Sequence, residues 1–276
     1  MSANSDSAPG ELPETTLATK ELGRRRSRIV TVWKVAASAA VLIGTVLVLA
    51  TSYVLSSVRG TVELQNADAM INSERFAEAV SLYTAALGER LSDGQRALAL
   101  GNRGWAYTKL NRDPDAIRDF DAALQIDPEL EFALLDRGLA LHRQGKFEAA
   151  LADYEKTIAL DPNSLDAYRN RALILAHLGR WKDAIADMTE AARCDDNNPA
   201  WLVARGDYSL RDSEPESALA SYESAIRIDP ENIDALWGRA KIFARQNQLD
   251  RAVGEMTEAI RARPSSARLY LARGLM

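Results

Sequence analysis

The 276-residue chain has few of the residues from which chemical sites are built, with one cysteine and two histidines. A single cysteine excludes an intramolecular disulfide framework and every multi-cysteine zinc site. His142 and His177 leave little for metal binding or acid–base catalysis, and the chain has no phosphate-binding loop, HExxH motif or nucleophile elbow. We therefore predict no enzyme activity, no catalytic residues, no cofactor and no metal site.

The chain also lacks an excess of positive charge. Its net charge is −5, so we expect no nucleic-acid partner. The charge is unevenly distributed, with a balance of +3 over residues 1–59 and −8 over residues 60–276. These two parts of the chain are therefore expected to occupy different environments.

Long hydrophobic runs are absent except at residues 35–58, where 24 consecutive residues carry no charge. A helix of that length measures about 36 Å, enough to cross a hydrocarbon core of about 30 Å. The sequence predicts a disordered tail with a basic cluster over residues 1–28 and a transmembrane signal-anchor helix over residues 29–58. The alternative, a cleaved secretory signal, calls for a shorter apolar run and a small-x-small cleavage site, which is not evident here.

Basic residues lie mainly on one side of the apolar run. Residues 20–34 contain six Lys or Arg, and residues 59–75 contain two. Because Lys and Arg are enriched in cytoplasmic flanks, we expect the tail in the cytoplasm and the residues after the span outside. Ala36, Ala40 and Gly44 recur every four residues, a stripe of small residues that admits a homo-oligomer of spanning helices.

Residues 60–276 repeat with a period of 34. A small residue recurs in each repeat and is followed sixteen positions later by a large one, a spacing that predicts helical hairpins in which the large side chain fills the space beside a close helix crossing. A single hairpin cannot bury its apolar face, so the hairpins are expected to stack into a solenoid. The small residues are Gly104, Gly138, Ala172, Gly206, Ala240 and Gly274, and the large ones are Phe120, Tyr154, Met188, Tyr222 and Met256.

Turn and stop signals separate the predicted helices. Gly and Asn are typical of a left-handed cap at the end of a first helix, and an Asp-Pro step ends most of the second helices because proline cannot continue them. The residues expected at the turns are Asn111, Gly145, Gly179, Ser213 and Asn247.

This pattern resembles the tetratricopeptide repeat (TPR). The resemblance implies an all-α, right-handed superhelical solenoid of TPR helix hairpins, preceded here by one transmembrane helix, with a concave side that binds a protein or peptide. A partial seventh repeat either marks a truncated chain or caps the stack, with Leu271 and Leu275 partly exposed. The repeats are assigned to residues 60–93, 97–130, 131–164, 165–198, 199–232 and 233–266, and the partial one to residues 267–276.

An arginine precedes each small crossing residue, and an acid stands sixteen positions later in four hairpins of five. Two interpretations are open: a ladder that binds an acidic ligand, or an ion pair inside each hairpin that fixes the helix register. We favour the ion pair, because a half-buried arginine needs a partner. The positions concerned are Arg103, Arg137, Arg171, Arg205 and Arg239, with Asp119, Asp153, Asp187, Ser221 and Glu255.

The TPR resemblance also implies which positions of each first helix line the groove. The apolar members are expected to anchor a partner, and Arg143 and Arg169 to steer an acidic or C-terminal segment. The carboxylate-clamp pattern of the family requires an asparagine four positions after its basic residue. The chain departs from this pattern, since Leu173 stands four positions after Arg169. The expected partner-binding residues are Leu98, Trp105, Lys109, Phe132, Leu135, Leu139, Arg143 and Arg169.

A line of basic residues ends successive first helices. These cations serve either the helix dipole or a ligand, and the sequence leaves both open. They are Lys109, Arg143, His177, Arg211 and Arg245.

The sequence thus predicts a membrane-anchored, non-enzymatic scaffold that binds a protein partner on the outer, periplasmic face of a bacterial inner membrane. The bacterial assignment depends on the anchor-plus-repeat organisation and on Arg outnumbering Lys 27 to 7. One alternative is a cytosol-facing import or co-chaperone-type receptor, which requires the opposite topology. Another is an accessory subunit of a membrane enzyme or secretion complex.

Overall fold

The computed structural model describes residues 14–265 and 267–274, a part of the chain that contains thirteen helices and no strand. The predicted all-α class is confirmed. The chain divides into two compact units, Met1–Arg59 and Gly60–Met276, and each is described by itself. The helices are α1 Glu14–Asn72, α2 Phe76–Leu87, α3 Asp93–Lys109, α4 Asp113–Ile126, α5 Glu131–Arg143, α6 Phe147–Leu160, α7 Leu165–His177, α8 Trp181–Cys194, α9 Pro199–Arg211, α10 Pro215–Ile228, α11 Ile233–Arg245, α12 Leu249–Ala262 and α13 Ala267–Gly274.

Helix α1 is longer than the span predicted from the sequence. Residues 14–28, for which we predicted disorder, are helical, and residues 1–13 lie outside the described residues. The physical reason is that residues 17–28 are rich in Leu, Ala, Lys, Glu and Arg, which extend a helix readily once the apolar run has nucleated it. The helix also continues beyond residue 58 to Asn72, where it supplies the first helix of the repeats.

The apolar segment of α1 is exposed along its length. Its large apolar side chains between Val35 and Val58 are all exposed, by 55% to 69%. The hydroxyls of Ser38, Thr45 and Thr51 donate to carbonyls one turn earlier, which satisfies them without water. Among the described residues, one helical stretch, Val32–Asn72, is long and apolar enough to cross a membrane.

The second unit is a row of helical hairpins. Ala67 of α1 packs with Ala79 and Tyr83 of α2, and each later first helix, from α3 to α11, packs against the second helix that follows it. First helices of successive hairpins also touch, α3 with α5, α5 with α7 and α9 with α11. Helix α13 packs on α12 and is the last helix among the described residues; Leu271 on it is 67% exposed, and Leu275 lies outside the described residues.

Small residues at the helix crossings fit their large partners closely. A Cβ atom at Gly138 would lie 2.7 Å from Cε1 of Tyr154, a fully buried ring. Where alanine replaces glycine the large partner is methionine, whose flexible side chain makes room for the added methyl; Ala67 with Tyr83 is the exception. Glycine pairs with an aromatic residue also at Gly104 and Phe120 and at Gly206 and Tyr222, and alanine pairs with methionine at Ala172 and Met188 and at Ala240 and Met256.

The turns within the hairpins adopt the left-handed conformation that the sequence predicted. The N–H of Arg112 donates to the carbonyl of Tyr107 at 2.9 Å, closing the end of α3. Glu74 makes the same turn after α1, with φ of 57°, although it is not a turn-forming residue. The predicted positions have φ of 57° at Asn111, 72° at Gly145, 73° at Gly179, 64° at Ser213 and 58° at Asn247.

Candidate functional site

The arginine positions form ion pairs inside the hairpins, as predicted. The Nε and Nη2 atoms of Arg137 donate to the two carboxylate oxygens of Asp153, at 2.9 and 2.6 Å. The Asp153 side chain is 6% exposed, so this bidentate pair is nearly dehydrated on the acid side. The hydrogen bond to Asp153 is the main cause that raises the pKa of Arg137. Equivalent pairs join Arg103 to Asp119, Arg171 to Asp187 and Arg239 to Glu255.

The fifth hairpin differs because its second helix has a serine in place of the acid. Nε of Arg205 donates to Oγ of Ser221 at 3.0 Å, and burial lowers the pKa of Arg205. A further contact ties successive hairpins together, since Nη1 of Arg137 donates to Asp121 of the preceding hairpin at 2.6 Å. The arginines are therefore occupied within the fold and do not form a free ladder.

Trp105 and Phe132 line one cavity of about 390 Å³, which we call the N-terminal cavity. The ring of Phe76 meets Trp105 edge-on, with ring centroids 5.6 Å apart. Phe132 lies against the backbone of α3, where a Cβ at Gly101 would be 2.6 Å from its Cζ. Both rings also pack partly against the core, so they serve the fold as well as the cavity. The other lining residues are Asp68, Ile71, Asn72, Tyr83, Asn102 and Asp136.

The remaining apolar groove residues from the sequence lie outside that lining. Leu98 is 48% exposed on α3. Leu135 packs partly against the core cluster of the third and fourth repeats, and Leu139 is partly buried. Leu98 is therefore the most accessible of the apolar residues proposed for the groove.

The cations expected to steer a partner are already paired. Arg143 donates to both carboxylate oxygens of Asp113, at 2.9 and 2.5 Å. Arg169 pairs with Asp166 one turn earlier on its own helix, at 2.9 Å. Lys109 lies over the ring of Trp105, with Nζ 4.7 Å from the ring centroid. The structure thus places Lys109 on the ring of Trp105 and commits Arg143 and Arg169 to carboxylates of this chain.

A second cavity of about 640 Å³, which we call the C-terminal cavity, carries unpaired cations. Arg211 and Arg245 make no ion pair with any described residue. Nζ of Lys241 lies 3.9 Å from Oδ1 of Asp207. Asp207 also accepts a hydrogen bond from the Tyr222 hydroxyl at 2.7 Å. The lining residues are Trp181, Asp207, Tyr208, Leu210, Arg211, Lys241 and Arg245.

The sequence contains a signal that separates the free cations from the paired one. Arg143 has an acid thirty residues earlier, Asp113, whereas Arg211 and Arg245 have Trp181 and Pro215 at that distance. All three residues lie in the last turn of their helices, where a cation complements the dipole. Each cation of this basic line can therefore compensate a helix dipole. Of the three arginines, only Arg211 and Arg245 are free to bind a ligand.

The histidines lie apart from both cavities. The rings of His142 and His177 flank Phe147, with centroid distances of 5.9 and 4.8 Å. Burial lowers the pKa of His142. Over the described residues, no group of three or more His, Cys, Asp or Glu is placed to hold a metal ion.

Hairpins of this length, crossing and period define a helical repeat solenoid. The tetratricopeptide repeat profile matches residues 135–199 and 203–275, and a second profile of the same repeat matches residues 97–130. The chain belongs to the tetratricopeptide repeat family. A comparison with curated protein sequences found no match.

Solved TPR structures share the fold. MamA is 22% identical with a TM-score of 0.55, covering 60% of this chain and 96% of its own. YrrB, described as a TPR protein with an unusual peptide-binding site, is 19% identical with a TM-score of 0.58, covering 70% and 98%. The C-terminal part of a TPR repeat-containing protein from Cytophaga hutchinsonii is 17% identical with a TM-score of 0.67, covering 76% and 83%. At these identities the likeness concerns the fold alone.

Proposed function

We propose that this chain is a membrane-anchored scaffold that binds a protein or peptide partner in the groove formed by its first helices. The observation that carries the proposal is the N-terminal cavity, where Trp105 and Phe132 offer partly exposed aromatic surface on a family fold associated with protein–protein interaction. Large aromatic residues at a solvent-open cavity are typical anchors of protein interfaces. The proposal assigns the chain no reaction of its own.

The C-terminal cavity supplies the charge that our sequence-based proposal assigned to Arg143 and Arg169. Arg211 and Arg245 have no partner among the described residues and stand beside Trp181 and Tyr208. Arginine binds carboxylates through paired hydrogen bonds, and attraction between unpaired surface charges steers association. We therefore assign the acidic part of the partner to this cavity, with a binding rate that falls as salt is added.

The proposed orientation places the N-terminus in the cytoplasm and the repeats on the outer face of a bacterial inner membrane. The supporting observations are the exposed apolar segment of α1 and the six basic residues over residues 20–34, of which Arg24, Arg25 and Lys34 are exposed. Protease added to intact spheroplasts should degrade the repeats. Protection of the repeats would contradict this topology and favour the cytosol-facing receptor.

The groove is tested by co-purification of full-length tagged protein from native membranes. Trp105→Ala should weaken partner retention by about 2 kcal/mol or more, which is about thirtyfold in Kd. Leu249→Ala is the matched control, since this leucine is 45% exposed on the second helix α12. Retention that is unchanged in Trp105→Ala, or lost equally in both variants, would contradict groove binding.

A further inference from the structure

A carboxylate without a partner stands on the wall of the N-terminal cavity. Asp136 of α5 is partly buried and makes no hydrogen bond or ion pair with any described residue. Burial raises the pKa of Asp136 to about 6. A second acid, Asp68, lines the same cavity and accepts a hydrogen bond from the hydroxyl of Tyr83.

The fold does not require an acid at position 136. The equivalent positions of the neighbouring repeats are Asn102 and Asn170, and those of the later repeats are Ala204 and Gly238. A half-buried carboxylate without a partner destabilises the folded chain, whereas an amide at the same place carries no charge to dehydrate. An unneeded buried charge that opens onto a cavity indicates a ligand of opposite charge.

The charges around Asp136 do not already neutralise it. Lys109 and Arg143 lower its pKa through space and Asp166 raises it, but burial outweighs them. Arg143 is held by both oxygens of Asp113, and Lys109 lies on the ring of Trp105. Tyr154 of α6 is buried, and burial, with Asp136 among the charges around it, raises its pKa.

The ring of Trp105 already holds a cation of this chain. The ammonium of Lys109 sits 4.7 Å from its ring centroid, within the range of a cation–π interaction. The rings of Trp105 and Phe132 are also suited to the aliphatic stem of a long basic side chain. The cavity therefore combines two carboxylates with aromatic walls, as the recognition of a basic side chain requires.

We propose that the N-terminal cavity binds a lysine or arginine side chain of the partner segment, with Asp136 and Asp68 facing its charge and Trp105 and Phe132 packing on its stem. This inference rests on the proposed function, since it names the residue class that occupies the same groove. It differs from the acidic ligand expected from the sequence for this half of the groove. The partner segment then carries its basic residue toward the first repeats and its acids toward the C-terminal cavity.

The binding has a defined pH dependence, because the ligand charge favours the ionised form of Asp136. Binding should strengthen as pH rises through about 6 and weaken below it, where Asp136 of the free protein is protonated. The stability of the free protein depends on pH in the opposite direction. Between the usual aspartate pKa of about 4 and about 6, the folded state binds more protons than the unfolded state, so its stability falls as pH rises.

The test uses full-length protein in phospholipid nanodiscs with its five tryptophans replaced by 5-fluorotryptophan. The ¹⁹F signal of Trp105, assigned with Trp105→Phe, is titrated with an acetylated, amidated pentapeptide that has arginine between leucines. The matched probe has citrulline, the neutral isostere of arginine, at the same place. The arginine peptide should shift the Trp105 signal with an affinity at least about tenfold higher than the citrulline peptide.

Three variants of the chain complete the test. Asp136→Asn should reduce the arginine preference to near unity while raising the melting temperature, and Lys109→Gln should strengthen arginine binding by removing a competing cation. Asp250→Asn, which changes an exposed acid on α12 outside the cavity lining, is the control and should keep the preference.

Equal affinity for the two peptides, or an arginine preference that survives Asp136→Asn, would overturn the inference. A citrulline peptide that shifts the Trp105 signal as strongly as the arginine peptide would leave groove binding intact and reject only the proposed basic side chain. Failure of the proposed function is distinct, because it appears as partner capture that does not depend on Trp105.

Discussion

Arg137→Ala and Arg205→Ala remove the same side chain from two hairpins whose acceptors differ. Without Arg137, Asp153 keeps a 6% exposed carboxylate that has lost two charge-assisted hydrogen bonds. Breaking one side of a buried ion pair costs about 3–5 kcal/mol. Because the arginine side chain itself is 23% exposed, we expect a value near the lower limit, about 3 kcal/mol.

Arg205→Ala should cost much less. The hydroxyl of Ser221 keeps its own hydrogen bond to the carbonyl of Ser217 at 2.9 Å, so no polar group is left without a partner. The variant also removes a half-buried guanidinium, and burial lowers the pKa of that group. A hydrogen bond from a charged donor contributes about 1.5–3 kcal/mol, and the cost of burying the guanidinium offsets part of it, so we expect the loss to stay below that of Arg137→Ala.

The assay is urea unfolding of the full-length protein in detergent micelles, followed by circular dichroism, with the slope checked for constancy between variants. The double variant Arg137→Ala/Asp153→Ala should recover part of the loss, because no buried charge then remains. Equal losses for Arg137→Ala and Arg205→Ala, or a double variant no more stable than Arg137→Ala, would refute the pairing argument.

Other substitutions test the packing. Gly138→Ala should destabilise by about 1–3 kcal/mol, since its methyl would overlap Tyr154, and Tyr154→Met in the same chain should restore part of the loss, as calorimetry would show. Gly254→Ala, in a helix with open space around the site, should stabilise by about 0.5–1 kcal/mol. Replacing a fully buried phenylalanine with alanine costs about 3–5 kcal/mol, and Phe132→Ala should cost less because its ring is only partly buried. An unchanged melting temperature would show that this packing does not contribute.

Much of the repeat architecture could be predicted from spacing. The sixteen-residue interval between Arg137 and Asp153 lies within one hairpin, where helix period and turn length alone fix which residues face each other. The left-handed turns at Asn111 and Gly145 were predictable for the same local reason.

Contacts between hairpins could not be predicted from spacing alone, although the acid thirty residues before Arg143 is visible in the sequence. Arg143 pairs with Asp113 thirty residues away, and which side chains meet there depends on how one hairpin is rotated on the next. The extent of α1 was also missed, because helix extension from an apolar segment depends on cooperativity that residue composition does not express.

The polar part of the N-terminal cavity was missed for another reason. The TPR resemblance pointed to Trp105 and Phe132, but an acid stands at the position of Asp136 in that repeat alone, and at the position of Asp68 it recurs only at Asp207, so a search for periodicity passes over both. Only the packing of α1, α3 and α5 shows that these acids share a cavity with the two rings.

The groove assignment is tested most directly by site-specific crosslinking in living cells. A photo-reactive phenylalanine placed at Leu98, 48% exposed on a first helix, should crosslink the partner, whereas the same group at Leu249, 45% exposed on a second helix, should not. The Leu98 crosslink should also diminish when Trp105→Ala is introduced. Crosslinking of equal strength at both positions, or only at Leu249, would contradict a partner held in the groove of the first helices.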